Sequence, residues 1–426
     1  MPADGCRPEA QHLAPPNESL LVAFRAEHQP GSPKLAGILP ESGKILDNFG
    51  GSRVEAGWQA DPSGESAIHH CKGNTDVRSR DLDPSRAPRH PSASLTLRRL
   101  RRPAGSVAGV EVITSLDPAP WPGERTIVTI GAYDGVHLGH QAVIDQVRAI
   151  ADEMSARSVV LTFDRHPASI VRPESAPPLL TNNEQRLELL AKTGLGATVV
   201  LSFDEHQAHE TPESFIERVL VEALGVRTIV VGQDFHFGRD RRGNVDLLEK
   251  VGRTNDFDVR PVGLVPRVDG VDEPISSTAI RRALAGGDVT RAAIMLGRMH
   301  EVRGTVVMGD QRGRLLGFPT ANVAVPKATC VPADGVYAGW YERPTGEVHP
   351  CAINIGRRPT FYEHADSSLL EAHLLDFTDD LYGELAEVRF AHFLRSERKF
   401  DGIEAIVAQL TLDVQHARDL LAADAR

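Results

Sequence analysis

"TIGAYDGVHLGHQAV", residues Thr129 to Val143, sets two histidines, His137 and His140, between two runs of different period. Upstream, "TIVTI" (Thr126–Ile130) is an unbroken, largely β-branched stretch of the kind that forms a buried strand. Downstream, "HQAVIDQVRAIADEM" brings Val143, Ile144, Val147, Ile150 and Ala151 onto one face at helical spacing. The histidines therefore stand where a strand feeds a helix N-terminus. In an open parallel sheet that edge is where ligands bind.

Outward from this point the same alternation continues to about residue 298. "SVVLTF", "ATVVLSF", "TIVVG" and "VRPVGLV" read as strands, with helical patterns such as "NNEQRLELLAKTG" and "ESFIERVLVEALG" between them. The alternation predicts an α/β domain with a doubly wound parallel sheet and crossover helices. Two helical pieces, "SSTAIRRALAGG" and "VTRAAIMLG", close it. After Gly297 the rhythm changes to short strands separated by turn residues: "HEVRGTVVMG", "DGVYAGWYE", "EVHPCAINIG", "LLEAHLLDF" and "AEVRFAHFLR". These predict a closed antiparallel β-barrel, followed by a terminal helix over "GIEAIVAQLTLDVQHARDLLAA". The expected division is 1–104, 105–298 and 299–426.

Residues 1–104 differ in character. They are rich in Pro, Gly, Ser and Arg, lack sustained periodicity, and run into "TLRRLRRPAG". This composition is that of a chain without a packed core. Three readings stay open: a dispensable or spurious extension with the physiological start near Val107 or Val110, a regulatory basic tail, and a targeting segment. The scattered acidic residues weigh against the last.

The formal net charge of −11 argues against nucleic acid as the main partner. Residues 1–104 hold 14 Lys and Arg against 12 Asp and Glu, leaving 33 against 46 for the rest. A phosphate ligand would then need locally gathered arginines. Cys6, Cys71, Cys330 and Cys351 show no metal spacing and no disulfide density, so a reducing, cytoplasmic setting is expected. No apolar run approaches the length of a membrane span, and no membrane partner is expected. A monomer or weak homo-oligomer is expected.

An isolated HxGH fits a hydrogen-bonded histidine pair in a loop equally well, and it lacks the glutamate and spacing of a zinc-binding HExxH helix. Three downstream clusters make the motif specific. "TFDRHP" (Thr162–Pro167) ends the second strand, "VVGQDFHFGRDRRGN" (Val230–Asn244) ends the fourth, and "ISSTAIRRAL" (Ile275–Leu284) opens a helix. Strand C-termini share one edge of a parallel sheet, so these clusters should converge there. Imidazole N–H donors, helix N-terminal amides and arginines suit charge developing on phosphoryl oxygens, and Gly131, Gly135 and Gly139 allow close backbone approach.

The barrel carries a second constellation, "GTVVMGDQRGRLLGFPTANV" (Gly304–Val323). Thr320 and Asn322 offer a hydroxyl and an amide oxygen, hard ligands that suit Mg²⁺ on ATP phosphates. Gly309, Gly313 and Gly317 would let backbone N–H groups cradle those phosphates. If Leu370, Ala372 and Leu374 share one face of their strand, Glu371 and His373 share the other. A carboxylate lining the barrel would accept a proton from a hydroxyl nucleophile. Read singly, "PTAN" is also compatible with a plain turn and Glu371 with a solvated strand face.

The two halves resemble, in order, the FMN adenylyltransferase and riboflavin kinase modules of prokaryotic bifunctional FAD synthetases. The first half matches through "GAYDGVHLGHQ", "GQDFHFG" and "ISSTAIR", the second through "GRLLGFPTAN", "GVYAG", "NIGRRPTF", "EAHLLDF" and "DLYG". The resemblance spans about 300 of the 426 residues and omits the leader. It implies phosphorylation of riboflavin to FMN by ATP, then adenylylation of FMN by ATP to FAD with release of pyrophosphate.

The resemblance also implies roles for residues. His137 and His140, with Gly131, Asp134 and Gly139, would meet ATP phosphates, and Ser276, Ser277, Thr278 and Arg281 would form the phosphate-binding loop. His166, Asp234 and Phe235 would lie by the nucleotide or flavin. In the kinase half, Gly309, Arg312 and Gly317 would belong to a flap over ATP, followed by Pro319. Thr320 and Asn322 would bind Mg²⁺–ATP, Glu371 would activate the riboflavin 5′-hydroxyl, and Arg395 and Phe400 would border the flavin. Departures are Tyr133 for a usual Phe, "TFDRHP" for "TFEPHP", and Gln233 for a common Glu or Ala.

Two alternatives remain at this level. One is an HxGH nucleotidyltransferase for another phosphate acceptor, such as a pantetheine or nicotinamide mononucleotide, which the kinase-like barrel disfavours. The other is an RNA-binding or regulatory protein, which would need interleaved aromatics; aromatic residues make up 5% of the chain.

Overall fold

All five residues of Thr126–Ile130 are buried, so this strand is covered on both faces. It lies inside a six-stranded parallel sheet. In a computed structural model, which describes residues 110–263, 273–357 and 368–424, the strands are β1 (Glu111–Ile113), β2 (Thr126–Ile130), β3 (Arg157–Phe163), β4 (Ala197–Leu201), β5 (Val226–Gly232) and β6 (Asp258–Val262). Their order is β1-β4-β3-β2-β5-β6, with every pairing parallel. The leader 1–104 and the "RPTF" end of "NIGRRPTF" lie outside the described residues.

Alternate β2 residues face opposite cores. Ile127 packs with Val160, Val230 and the helix Leu138–Met154 through Ile144, Val147 and Ile150. Val128 and Ile130 pack on the other side with Phe215, Ile216, Val219 and Leu220. That second segment opens as an α-turn, Pro212–Phe215, and continues as a π-helix, Ile216–Ala223. Helices on both faces make the sheet doubly wound. The edge strand β1, too short to show periodicity, pairs with β4 and was not legible in the sequence.

The chain steps from β2 to β3 to β4 in one direction, then returns to place β5 on the other side of β2. The crevice outside the carboxyl ends of β2 and β5 is therefore the topological switch point, the preferred ligand position in such sheets.

The second sheet closes into a barrel from β7 (His300–Val307), β8 (Ala321–Ala324), β9 (Gly335–Glu342), β10 (Val348–Arg357), β11 (Ser368–Leu374) and β12 (Leu385–Arg395), all antiparallel. The last two residues of "PTAN", Ala321 and Asn322, open β8, the second of the six barrel strands, so the motif is more than a turn. Leu370, Ala372 and Leu374 join Tyr337, Tyr341, Ile353, Val388 and Phe390 in one buried cluster filling the barrel. Glu371 consequently stands on the outer face and does not line the interior, because the lumen is packed with apolar side chains. The terminal helix Ile403–Asp424 covers another part of the outer face, packing Ala417 and Leu421 on Ala338 and Ala391.

The helices Ser277–Ala285 and Val289–Leu296 share the barrel's apolar cluster through Ile280, Leu284, Met295 and Leu296. The core is thus continuous across residue 298. Leu179, from the parallel-sheet half, also exchanges backbone hydrogen bonds with the barrel, donating to Ala328 at 2.6 Å and accepting from Cys330 at 2.8 Å.

Candidate active sites

Between β2 and the helix Leu138–Met154 the chain makes a tight turn with three left-handed residues, Tyr133 (φ 51°), Gly135 (φ 86°) and Val136 (φ 38°). A β-branched residue at positive φ is strained, and such strain concentrates at functional turns. Here it is held by partners: Gly135 N–H donates to Thr181 Oγ1 at 3.0 Å and Val136 N–H to the Tyr133 carbonyl at 3.1 Å.

His137 is the helix N-cap, and its Nδ1 accepts the backbone N–H of His140 at 3.2 Å. In the neutral ring the proton then sits on Nε2. The two imidazoles stack with centroids 3.6 Å apart, and Tyr133 lies 4.8 Å from the His140 ring. Burial, then Arg298 and Arg281, push His137 down to about 4. Burial, His137 and Arg298 hold His140 well below the usual histidine range. Both rings are neutral near pH 7, and each can donate one ring N–H to a phosphoryl oxygen without repelling the other. His140 Nδ1 has no partner among the described residues. Gly139 permits the stack, since a Cβ there would meet the His137 ring at 3.1 Å and the Ile275 carbonyl at 3.3 Å.

Asp134 behaves differently from the expectation of a ligand-facing carboxylate. It is 2% exposed and accepts the N–H groups of Leu180 and Thr181 (2.9 and 3.0 Å), the Thr181 hydroxyl (3.3 Å) and the guanidinium of Arg281. Arg281 also donates to the Pro178 carbonyl at 2.7 Å. Ser277 Oγ donates to the Asp134 carbonyl at 2.9 Å, while Ser276 caps its helix by accepting the Ala279 N–H at 3.1 Å. Thr278 is exposed. The Ser-Ser-Thr segment is thereby docked on the histidine turn, with the Asp134–Arg281 pair as its anchor.

β3 and β5 flank β2, so their carboxyl ends lie on the same sheet edge. His166, just after β3, feels Asp134, Arg281 and Arg186; burial lowers its protonation, and its Nδ1 accepts the Ala168 N–H at 3.1 Å. Asp234, after β5, is exposed, with a carboxylate oxygen 3.0 Å from where a Cβ on Gly232 would lie. Phe235 stacks on Phe237 at 5.4 Å and backs this side. Gly131 N–H extends the β2–β3 ladder to the Leu161 carbonyl at 3.1 Å.

Two arginines escaped the sequence reading. Arg186 is 3% exposed and ties the ends of β2 and β3 together by donating to the carbonyls of Ala132 (3.1 Å) and Phe163. Arg298 donates to the Gly135 carbonyl at 2.7 Å from the segment that joins the helices to the barrel. Neither sits in a Gly-rich or histidine motif, so only spatial placement finds them.

The second site forms on the outer barrel face. Register sets Asn322, Glu371 and Asn354 side by side on β8, β11 and β10. Above them runs the Met308–Phe318 loop, containing the helical turn Arg312–Leu315. Gly309 leaves room over the amide of Asn322, for a Cβ there would lie 2.4 Å from Nδ2. Gly313 packs under the Phe318 carbonyl, and its Cβ would lie 3.6 Å from Thr320 Oγ1. Gly317 takes a left-handed φ of 87° before Phe318 and Pro319. Arg312 is exposed and pairs loosely with Asp310 at 3.4 Å. A hydroxyl, an amide oxygen and one neighbouring carboxylate, beside space kept open by glycine, fit a Mg²⁺ that arrives on ATP and keeps most of its ligands from phosphate and water.

Arg395, expected at the flavin, spends its guanidinium on Asp413, with Nε–Oδ1 at 3.0 Å and Nη2–Oδ2 at 2.7 Å. It clamps the terminal helix to β12 and leaves its face 5.7 Å from the Phe400 ring.

Both halves have known relatives. Residues 120–279 match the FAD synthetase family model and residues 296–421 the riboflavin kinase family model. The bifunctional riboflavin kinase/FMN adenylyltransferase of Listeria monocytogenes is 37% identical over 303 residues, covering 71% of this chain and 94% of that protein. The chain belongs to the bifunctional riboflavin kinase/FMN adenylyltransferase family. The Bacillus subtilis member is 36% identical over 300 residues, 69% of this chain and 92% of its own. The Escherichia coli K12 member is 36% identical over 302 residues, 70% and 93%. A crystal structure described as a macrolide-efflux protein from Streptococcus pneumoniae superposes with a TM-score of 0.63 at 30% identity, covering 72% of this chain and 98% of that one. Membership of this bifunctional family accounts for two different folds following one another in one chain.

Proposed function

We infer that the chain carries both activities of its family, riboflavin kinase in the barrel half and FMN adenylyltransferase in the parallel-sheet half. The observation that carries the second assignment is the stacked, neutral His137–His140 pair at a helix N-terminus on the sheet's switch point. There the FMN phosphate oxygen attacks the α-phosphorus of ATP, and pyrophosphate leaves. His137 Nε2–H, His140 and the helix N-terminal amides hold the phosphoryl oxygens, with Ser276 to Arg281 closing over them and Asp134 keeping that segment in place. His166, Asp234 and Phe235 border the acceptor side.

In the barrel, Glu371 takes the proton of the riboflavin 5′-hydroxyl as that oxygen attacks the γ-phosphorus of ATP, releasing ADP. Thr320 and Asn322 hold the nucleotide's Mg²⁺, and Gly309, Arg312, Gly317 and Pro319 shape the loop over it. Mg²⁺ supplies neutralisation of phosphoryl charge when bound. Arg395 supports the flavin side by fixing the loop that carries Phe400. The modules correspond to 105–298 and 299–426, and the buried thiols of Cys330 and Cys351 support a reducing, cytoplasmic setting.

The test is product analysis from riboflavin, ATP and Mg²⁺. His137→Ala is expected to stop at FMN, and Glu371→Gln to make FAD only when FMN is supplied. A folded His137→Ala enzyme that still forms FAD at the wild-type rate would overturn the first assignment, and an unimpaired Glu371→Gln kinase the second.

A further inference from the structure

The ladder between β8 and β11 ends at the pair Ala321–Ala372. One step further along, the residue facing β11 would be Thr320, which has already left the strand. At that point a side chain replaces the backbone pairing. His373 Nδ1 lies 2.7 Å from the Pro319 carbonyl, and the Phe318 ring meets the imidazole edge-on at 5.7 Å. Both residues preceding Thr320 are thus held by one histidine. That histidine shares the outer face of β11 with Glu371, two residues away, as strand alternation requires.

A carbonyl can only accept, so Nδ1 must carry the proton. The bond therefore exists in the Nδ1–H neutral tautomer and in the imidazolium, and is lost only in the Nε2–H tautomer. Pro319 has no N–H and a fixed φ, so its carbonyl is the group by which this turn can be tied to β11.

We propose that His373 is a positioning residue for the kinase reaction, whose Nδ1–H bond to the Pro319 carbonyl sets Thr320 and Asn322 at the correct distance from Glu371. The inference rests on the reading that these three residues hold Mg²⁺–ATP and activate riboflavin. His373 itself touches no reacting atom.

The nitrogen involved makes the experiment selective. An asparagine amide can donate from the Nδ1 position, whereas a glutamine amide reaches the Nε2 position. In the full-length chain, His373→Gln should raise KM for Mg²⁺–ATP in FMN formation about tenfold, the loss of one well-placed hydrogen bond, with kcat changed less than about twofold. His373→Asn should stay within about threefold of wild type, and both should adenylate FMN normally. A second readout needs no ligand: amide hydrogen exchange of peptides covering Phe318–Val323 should be about tenfold faster in His373→Gln than in wild type or His373→Asn.

Equal KM and exchange in all three proteins, or equal impairment of both variants, would overturn the inference. Glu371→Gln run alongside separates the two levels. If it keeps full FMN formation, the site reading itself fails. If it is inactive while His373→Gln matches wild type, only the role of His373 falls.

Discussion

His137 Nδ1 accepts the backbone N–H of His140 at 3.2 Å, so the cap of the helix and the first of the two stacked imidazoles are one group. This bond uses the lone pair that a proton would otherwise take, and it points the Nε2–H outward from the helix end. Structure and protonation are therefore linked at this residue.

The linkage has a definite sign. With His137 at about 4 in the folded chain and near 6.5 unfolded, the folded state binds fewer protons between those values. Its contribution to stability is complete above about pH 6.5 and is lost as pH falls to about 4. Histidine NMR titration should show His137 unprotonated at pH 6, and FMN adenylylation should lack an acid limb near pH 6.5 from these rings. A His137 midpoint near 6.5 would contradict the buried, stacked arrangement.

Asp134 and Arg281 are 3% and 14% exposed in their side chains. Removing one partner of such a pair leaves a buried charge and costs about 3–5 kcal/mol. Asp134→Ala is expected to lower the melting temperature by roughly 10 °C and to abolish FMN adenylylation by releasing the Ser276–Arg281 segment. Adding Arg281→Met should restore part of the melting temperature without restoring activity. Calorimetry of the two variants checks this, and an unchanged melting temperature in Asp134→Ala would refute the anchoring role.

The Tyr133 side chain is buried, and its hydroxyl pairs with Thr129 Oγ1, 2.7 Å away. Tyr133→Phe should cost about 1 kcal/mol by orphaning Thr129, and Thr129→Val in the same chain should recover most of it. Denaturant melts of the single and double variants decide the matter, with adenylylation expected to persist in both.

Gly309→Ala would place a methyl group 2.4–2.8 Å from the amide of Asn322. The clash is with a side-chain terminus, so stability should change by less than about 1 kcal/mol while the amide is displaced. KM for Mg²⁺–ATP in the kinase reaction should rise at least about tenfold, with FMN adenylylation unaffected. Steady-state kinetics on both half-reactions would show this, and an unaltered kinase KM would mean that Asn322 does not hold the nucleotide.

Much of this was legible in the chain. Apolar, β-branched runs located β2 to β6, short strands between turn residues located five of the six barrel strands, and helical spacing located the helices, because burial imposes its pattern on neighbouring residues. β1, only three residues long, shows too little pattern to register. β8 was obscured because "PTAN" carries turn-type residues while pairing with β7 and β11. The site motifs were found as clusters of chemistry, but several of their members face inward. Asp134 and Arg395 are spent on Arg281 and Asp413, and Arg186 and Arg298 reach the site from segments without a motif.

The amino-acid order alone determined the two folds, their succession and the kinds of side chain brought to each ligand edge, since these follow from local periodicity and turn chemistry. Only the tertiary structure decided which polar groups hold one another. Asp134 and Arg281 are 147 positions apart, and His373 and Pro319 are 54 apart. Whether such groups pair depends on how sheet, helices and barrel pack, which no local pattern encodes.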